Sequence, residues 1–290
     1  MTGTATGTAA ETAAGSGTAA GPRHHWYVYA VTPAAGPQPP DGLGGVGGAP
    51  VRPVPHDGLA AVVSTVAAAD FAEEPLRHHL EDLAWLEATA RGHQRVIDAL
   101  TASPGCVLPL RLATVCRDTA GVRRLLASNR DLFLEAIGRL EGRTEWGVKV
   151  FADAPERTEA APATGRDYLR QRARRRRTDD EAWQRAEETA RAVHLDLDAV
   201  AEESRLHRPQ DPRLSGESGR NLLNGAYLVP QQREQEFCAL VGRLAGQLRG
   251  PRLSLTGPWA PYSFAQINGL AQEPASTPAS APGPAPERAT

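Results

Sequence analysis

Several groups of residues have types and spacings that could do chemistry, and each can be weighed against its structural alternative. His78, His79, Asp82 and His93 lie in one predicted helical stretch, and 79, 82 and 93 can share a face. Helical zinc sites use ligands at i and i+4, whereas 79 to 93 spans about 21 Å of helix, too far for one ion. His93 therefore reads as a half-buried residue hydrogen-bonded to a neighbour, and no metal is expected. The glycine-rich run at 42–48 (GLGGVGG) has the look of a phosphate cradle. A P-loop ends in Lys and Ser/Thr, however, and a dinucleotide fingerprint leads into a helix, which Ala49-Pro50-Val51-Arg52-Pro53 forbids. A loop or bulge is expected there, with no cofactor.

Nucleophilic chemistry has no better support. There is no GxSxG elbow, and Cys106 and Cys116 flank a predicted buried strand, where free cysteine acts as a small apolar residue. Glu145 and Lys149 are four apart on a predicted strand and so share a face, which fits a surface ion pair worth ~0–1 kcal/mol. No catalytic residue and no small-molecule substrate is expected. The strongest charge feature is the run 170–177 (RQRARRRR), with Arg170, Arg174, Arg175, Arg176 and Arg177. Asp179, Asp180, Glu181, Glu187 and Glu188 follow, where i,i+4 pairing offsets the charge. With no interleaved aromatics to stack on bases, a solvated helix or protein-partner patch is the favoured reading. A nucleic-acid-binding or regulatory module using this helix is the alternative.

The elements that must position these residues fall into two bodies. Residues 1–22 and 269–290 are low-complexity and are expected to be disordered tails. The stretch 153–165 reads as a linker. The first body, 23–152, carries predicted strands at 26–32, 59–66, 106–115 (bent at Pro109) and 144–151, with room for one more in the Gly/Pro loop. Helices are expected over 73–102, with Leu76, Leu80, Leu83, Ala90 and Ile97 near one face, and over 118–140, capped by Asp118. This order favours a ferredoxin-like α+β sheet with helices on one face. The second body, 166–268, is read as a related α+β layer. It has a long helix over 167–192, strands at 195–203, 221–229 and 252–256, and an amphipathic helix over 231–248.

The 290 residues carry a formal charge of −2, so the global balance calls for no nucleic acid or membrane partner. Three cysteines with no CxxC fit reduced thiols in a cytoplasmic setting. No stretch approaches the ~20 apolar residues of a membrane helix, and residues 1–22 lack the features of a secretory signal. The segment 256–264 (TGPWAPYSF) follows the last predicted strand. Gly257-Pro258 is expected to break the ladder, and Pro261 stiffens a segment bearing Trp259, Tyr262 and Phe264. It reads as a packing or docking device that folds over the junction of the bodies.

Taken together, these residues resemble the gas vesicle protein GvpF/GvpL family. The resemblance is carried by Tyr27-Val28-Tyr29, by Ala61-Val62-Val63-Ser64, and by the stretch from Asp82 through Trp85 to Glu87 and on to His93. It continues through Val107 to Thr114 (with Pro109 and Arg111), Glu145-Trp146-Gly147-Val148-Lys149 and Asn224-Gly225-Ala226-Tyr227-Leu228. It ends in Gly257, Pro258, Trp259, Pro261, Tyr262 and Phe264. The family usually reads PLRFGT where this chain has Leu112-Ala113, and TGPWPPYSF where it has Ala260, which points to a repacked strand and a slightly relaxed terminal segment. The resemblance implies a non-enzymatic accessory of gas vesicle assembly, cytoplasmic and vesicle-associated. Its expected partners are the small amphipathic shell protein GvpA and other accessory Gvp proteins. An adaptor of this kind holds subunits by covering apolar surface or by adding an edge strand to an extended segment.

Overall fold

The structure, a computed structural model, describes residues 24–154, 164–209 and 218–265. The expected tails and most of the expected linker lie outside the described residues. Strand β1 (His24–Pro33) is rich in aromatic and β-branched residues and forms the middle of the first sheet. A Gly/Pro loop with a short 3-10 turn leads to β2 (Arg52–His56), and Asp57-Gly58 turns the chain into β3 (Leu59–Ala67). Both turn residues have positive φ (46° and 80°), the geometry that suits a two-residue hairpin. Strand β3 runs antiparallel to β1, with a register shift between Val28 and Ala30.

Helix α1 (Ala68–Phe71) and α2 (Glu73–His79) are followed by α3 (Leu83–Thr101). The single helix expected over 73–102 is therefore two. The Asp82 side chain accepts from the N–H groups of Ala84 and Trp85 and starts a new helix, as capping residues do. Leu83, placed on the inner face by its spacing, is consequently 78% exposed. The inner face of α3 is Thr89, His93, Val96, Ile97 and Leu100.

The strand expected over 106–115 is reduced to β4 (Leu108–Pro109) and β5 (Val115–Cys116). A turn separates them, in which Ala113 is left-handed (φ 60°). The single helix expected over 118–140 is also two, α4 (Thr119–Ser128) and α5 (Arg130–Leu140), broken where Asn129 leaves helical geometry (φ −120°, ψ 18°), and Asp118 caps the first by accepting from the Gly121 N–H. The order in the first sheet is β2-β3-β1-β4, with β5 also on β1.

Residues from both faces of this sheet are buried. Val28, Val31, Leu59, Ala61 and Val63 pack with Val122 and Leu126 of α4 and Phe133 and Ile137 of α5. Tyr27, Tyr29, Val62 and Val66 pack on the other side with Phe71 and with Val96, Ile97 and Leu100 of α3. The ferredoxin-like layout expected here, with helices on one face, is thus replaced by helices on both. Periodicity marks a helix's buried stripe but not the side of the sheet that receives it.

Strand β6 (Arg143–Ala152) was expected to close the first body, yet it pairs in the second sheet. The free edge of β1 is already occupied by β4 and β5, and β6 instead lies between two later strands. Helix α6 (Gly165–Asp198) continues through 195–198, where a strand was expected. Ala186, Ala190, Val193 and Leu197 hold helical spacing on its buried side. Strands β7 (Glu203–Leu206) and β8 (Arg220–Pro230), helix α7 (Glu234–Gln247) and strand β9 (Arg252–Trp259) complete the order.

The second sheet is β7-β8-β6-β9, antiparallel throughout, with the β-α-β-β-α-β connectivity of a split βαβ unit. Helices α6 and α7 cover one face through Val193, Leu197, Phe237 and Val241 against Trp146, Val148, Tyr227 and Val229. From the other face, Ala226 and Leu228 join the core of the first body. The two sheets therefore share a core.

Candidate functional site

The shared core is closed by the segment that follows β9. Strand β9 runs through Gly257-Pro258, a cis peptide, instead of ending there, with a register shift opposite Glu145 and Gly147. Gly257 sits at φ 127°, and a Cβ there would lie 3.0 Å from the Glu145 carbonyl and from the Trp146 ring, so only glycine fits comfortably. Beyond Trp259 the chain turns tightly, with the N–H groups of Phe264 and Ala265 both donating to the Pro261 carbonyl (3.1 and 2.8 Å). Phe264 is fully buried in the core that contains Phe133 and Leu228, and Ala260 joins the core beneath α3.

Polar groups from both bodies hold this turn. Ser263 donates its N–H and its hydroxyl to the two carboxylate oxygens of Glu145, at 2.8 and 2.6 Å. Since that hydroxyl hydrogen is committed to Glu145, the 3.1 Å contact with His207 Nε2 is one in which Ser263 Oγ accepts. Arg205 donates to the Ser263 carbonyl (2.5 Å) and Arg139 to the Phe264 carbonyl (2.6 Å). Glu203 links the two guanidinium groups, accepting from Arg139 at 2.7 Å and from Arg205 at 3.0 Å. The Arg205 guanidinium also lies 5.3 Å from the Phe264 ring centre. Arg139 belongs to α5 in the first body; Glu145, Glu203 and Arg205 belong to the second.

Glu145 is buried, not at the surface as its spacing with Lys149 suggested. Burial pushes its carboxyl above the usual value, partly offset by the Ser263 hydrogen bonds and by His207 and Arg205. Both of its oxygens serve the turn. Lys149, half-buried, lies further along β6, opposite Asn224 and Ser254.

A second cluster lies against the same segment. Tyr27 Oη accepts from the Ala113 N–H (3.0 Å), so its own proton is directed at His93 Nδ1, also 3.0 Å away. That places the ring proton of neutral His93 on Nε2, and burial lowers the His93 pKa to about 4. Tyr29 bonds Ser64 (2.7 Å) and accepts from the Val46 N–H (2.7 Å). Gly45 packs so tightly here that a Cβ would lie 2.2 Å from Tyr29 Oη. The glycine-rich run is thus a turn laid over the tyrosines. Phe71 and Trp85 extend the cluster, Trp85 stacks on His79 at 4.9 Å, and Tyr262 faces His93 at 6.1 Å.

The residues singled out by sequence fall in several settings. His93, Trp85 and Tyr262 meet in the aromatic cluster, and Pro109 is buried in β4 beside it. Arg111 is exposed, and Thr114 bonds back to its carbonyl (2.7 Å), closing the turn at Ala113. Trp146 and Tyr227 are buried in the second core, where Tyr227 Oη meets His194 Nδ1 at 3.0 Å. Trp259 departs from its three-ring set, being 43% exposed beside a cleft of about 400 Å³ between the bodies. Arg170, Arg174, Arg175, Arg176 and Arg177 lie on an exposed stretch of α6, N-terminal to the residues of that helix that enter the core.

Sequence reasoning missed Arg139, Glu203, Arg205 and Ser263. Only Ser263 carried a signal, its place inside the terminal motif.

Little here suits covalent chemistry. Cys106 is buried and its thiol is pushed up to about 11, chiefly by burial. Among the described residues no group of three or more His, Cys, Asp or Glu is arranged to hold a metal, and no helix is long and apolar enough to cross a membrane.

Comparison with known proteins gives a consistent answer. Residues 25–266 match the family model described as gas vesicle synthesis protein GvpL/GvpF. The chain is 51% identical over 255 residues to gas vesicle protein L of Streptomyces sp. (strain CB03234), covering 85% of this chain and 94% of that one. Against gas vesicle protein F of the same strain it is 30% identical over 257 residues, covering 83% and 99%. Two solved structures share the fold. GvpF from Anabaena sp. PCC7120 has a TM-score of 0.63 at 20% identity, covering 84% of this chain and 97% of that one. GvpF from Microcystis aeruginosa has a TM-score of 0.59 at 22% identity, covering 84% and 99%.

Proposed function

The chain belongs to the GvpL/GvpF family of gas vesicle synthesis proteins, and from that premise we propose that it is a non-enzymatic assembly factor. In this reading it binds the small amphipathic shell protein, GvpA, together with other Gvp proteins. It keeps shell subunits soluble in the cytoplasm and delivers them to the growing vesicle. A subunit that builds a gas-facing apolar wall is prone to aggregate until it is incorporated. A rigid carrier that masks it solves that problem without chemistry.

The observation that carries the reading is where the reactive side chains are spent. Glu145 serves Ser263, His93 serves Tyr27, and Cys106 is sealed in the core. Such groups are committed to packing within each body, and Arg139 ties the two together through Glu203 and the Phe264 carbonyl. The test is a pull-down of the tagged chain from cells carrying a whole gas vesicle cluster, with floating vesicles separated from the soluble fraction. Recovery of shell protein with the chain in the soluble fraction is expected. Absence of shell protein from every fraction of the pull-down would sink the proposal.

A further inference from the structure

We propose that the outer edge of β9 is where this protein receives its cargo, presented as an extended strand with apolar residues at alternate positions. The inference rests on the carrier reading above and assigns it a place on the molecule.

Two sheets have four edges, and three are blunted. Edge strand β2 has Pro53 and Pro55 within five residues, and prolines on an edge strand remove the N–H groups that would face a newcomer. Strands β4 and β5 are two residues each, separated by the turn at Ala113. Strand β7 has four residues, and its Glu203 and Arg205 are engaged with Arg139 and Ser263.

Strand β9 is different. It has eight residues and pairs with β6 on one side, and among the described residues no strand pairs with its other side. From Arg252 to Thr256 its register with β6 is unbroken, so every second residue turns a backbone N–H and C=O outward. No proline or lysine interrupts that stretch, and its one charge, Arg252, is turned towards Ser218 and Asp153. Such an edge is satisfied by another extended backbone and not by a helix.

The side chains specify what that backbone must carry. Leu253 and Leu255 pack on the core beside Leu240, Leu244 and Leu248, all partly buried. A strand added outside β9 lays alternate residues along this row, where apolar side chains extend the layer. On the opposite face its neighbours are Ser254 and Thr256, which suit polar residues. At the far end of the edge the half-exposed Trp259 borders the cleft shared with Asp98, Thr101 and Thr144. An aromatic anchor in such a position fixes the end of a docked segment. An extended part of a shell subunit, with its apolar residues alternating, fits all three features.

The test uses the full chain co-expressed with the shell protein. Hydrogen exchange of the complex should show the outward-facing alternate amides within 252–256 slowed by roughly tenfold or more relative to the free chain. The double variant Ser254→Lys/Thr256→Lys places edge charges at polar, partly exposed positions. It should keep the thermal stability of the parent and bind shell protein at least roughly tenfold more weakly. Unchanged exchange at 252–256 in a complex that does form overturns the inference while leaving the carrier reading intact. So does a stable double variant that binds undiminished. If the unmodified chain forms no complex with shell protein, the carrier reading fails and the inference with it.

Discussion

Replacing Glu145 with alanine removes the acceptor for both the N–H and the hydroxyl of Ser263. Hydrogen bonds to a charged group contribute about 1.5–3 kcal/mol each, but the two do not simply add here. Desolvation is the leading reason the Glu145 carboxyl is raised, and deleting the side chain relieves that cost. A net loss of about 2–3 kcal/mol is therefore expected, which for a chain of this size lowers Tm by roughly 4–12 °C. Ser263→Ala keeps the N–H donor and should cost about 1–2 kcal/mol. Because the two residues touch, the double variant should fall short of the sum by about 1 kcal/mol or more.

The pH dependence follows from the direction of the shift. With its pKa raised in the fold, Glu145 binds more proton in the native than in the unfolded state just above the ordinary carboxylate value. Its contribution to stability is then greatest below that value and declines as pH rises through the native pKa. His207 and Arg205 offset the rise, and Tyr262 interacts with the same carboxyl, but they do not reverse that sign. Glu145→Gln lacks the titration, so the stability of the parent relative to this variant should fall with rising pH in urea melts. A coupling energy near zero, or a parent that gains on the glutamine variant as pH rises, would refute the clamp.

Three further outcomes are expected. Ala113→Gly should stabilise the protein by about 0.5–1 kcal/mol, since a left-handed alanine costs about 1–2 kcal/mol and glycine's extra unfolded freedom returns part of it; a lower Tm for the variant contradicts this. Phe264→Ala should cost about 3–5 kcal/mol, whereas the half-exposed Trp259→Ala should cost roughly half as much; equal losses in parallel denaturant melts would show that burial does not rank them. His93, held neutral with a pKa of about 4, stabilises the fold above the ordinary histidine value and ceases to as pH falls through the native one. The loss is on the order of 3 kcal/mol between pH 6.5 and 4, and the acid limb of the stability curve should flatten in His93→Gln.

The parts of the fold legible in the sequence were those fixed locally. The β-rich run at β1 and the Asp118 cap stand where the sequence places them. The break at Asp82 was missed because no proline or glycine marks it, and a cap is legible only once a helix start is suspected. Strand β6 alternates as a strand should, but alternation specifies faces and not neighbours, so its sheet was hidden. At Ala113 the departure from the family's glycine was visible, while its meaning, a left-handed turn bonded to Tyr27, required the backbone. The clamp was illegible for a simpler reason. Arg139, Glu203 and Ser263 stand about 60 residues apart from one to the next along the chain, and no local pattern joins charges over such separations.

Whether the chain carries shell subunits is decided by co-expressing shell protein with and without it and measuring shell protein in the soluble fraction. Shell protein alone is expected to sediment, and with the chain present to be recovered in solution as a complex. Shell protein that sediments equally in both cases would contradict the carrier reading.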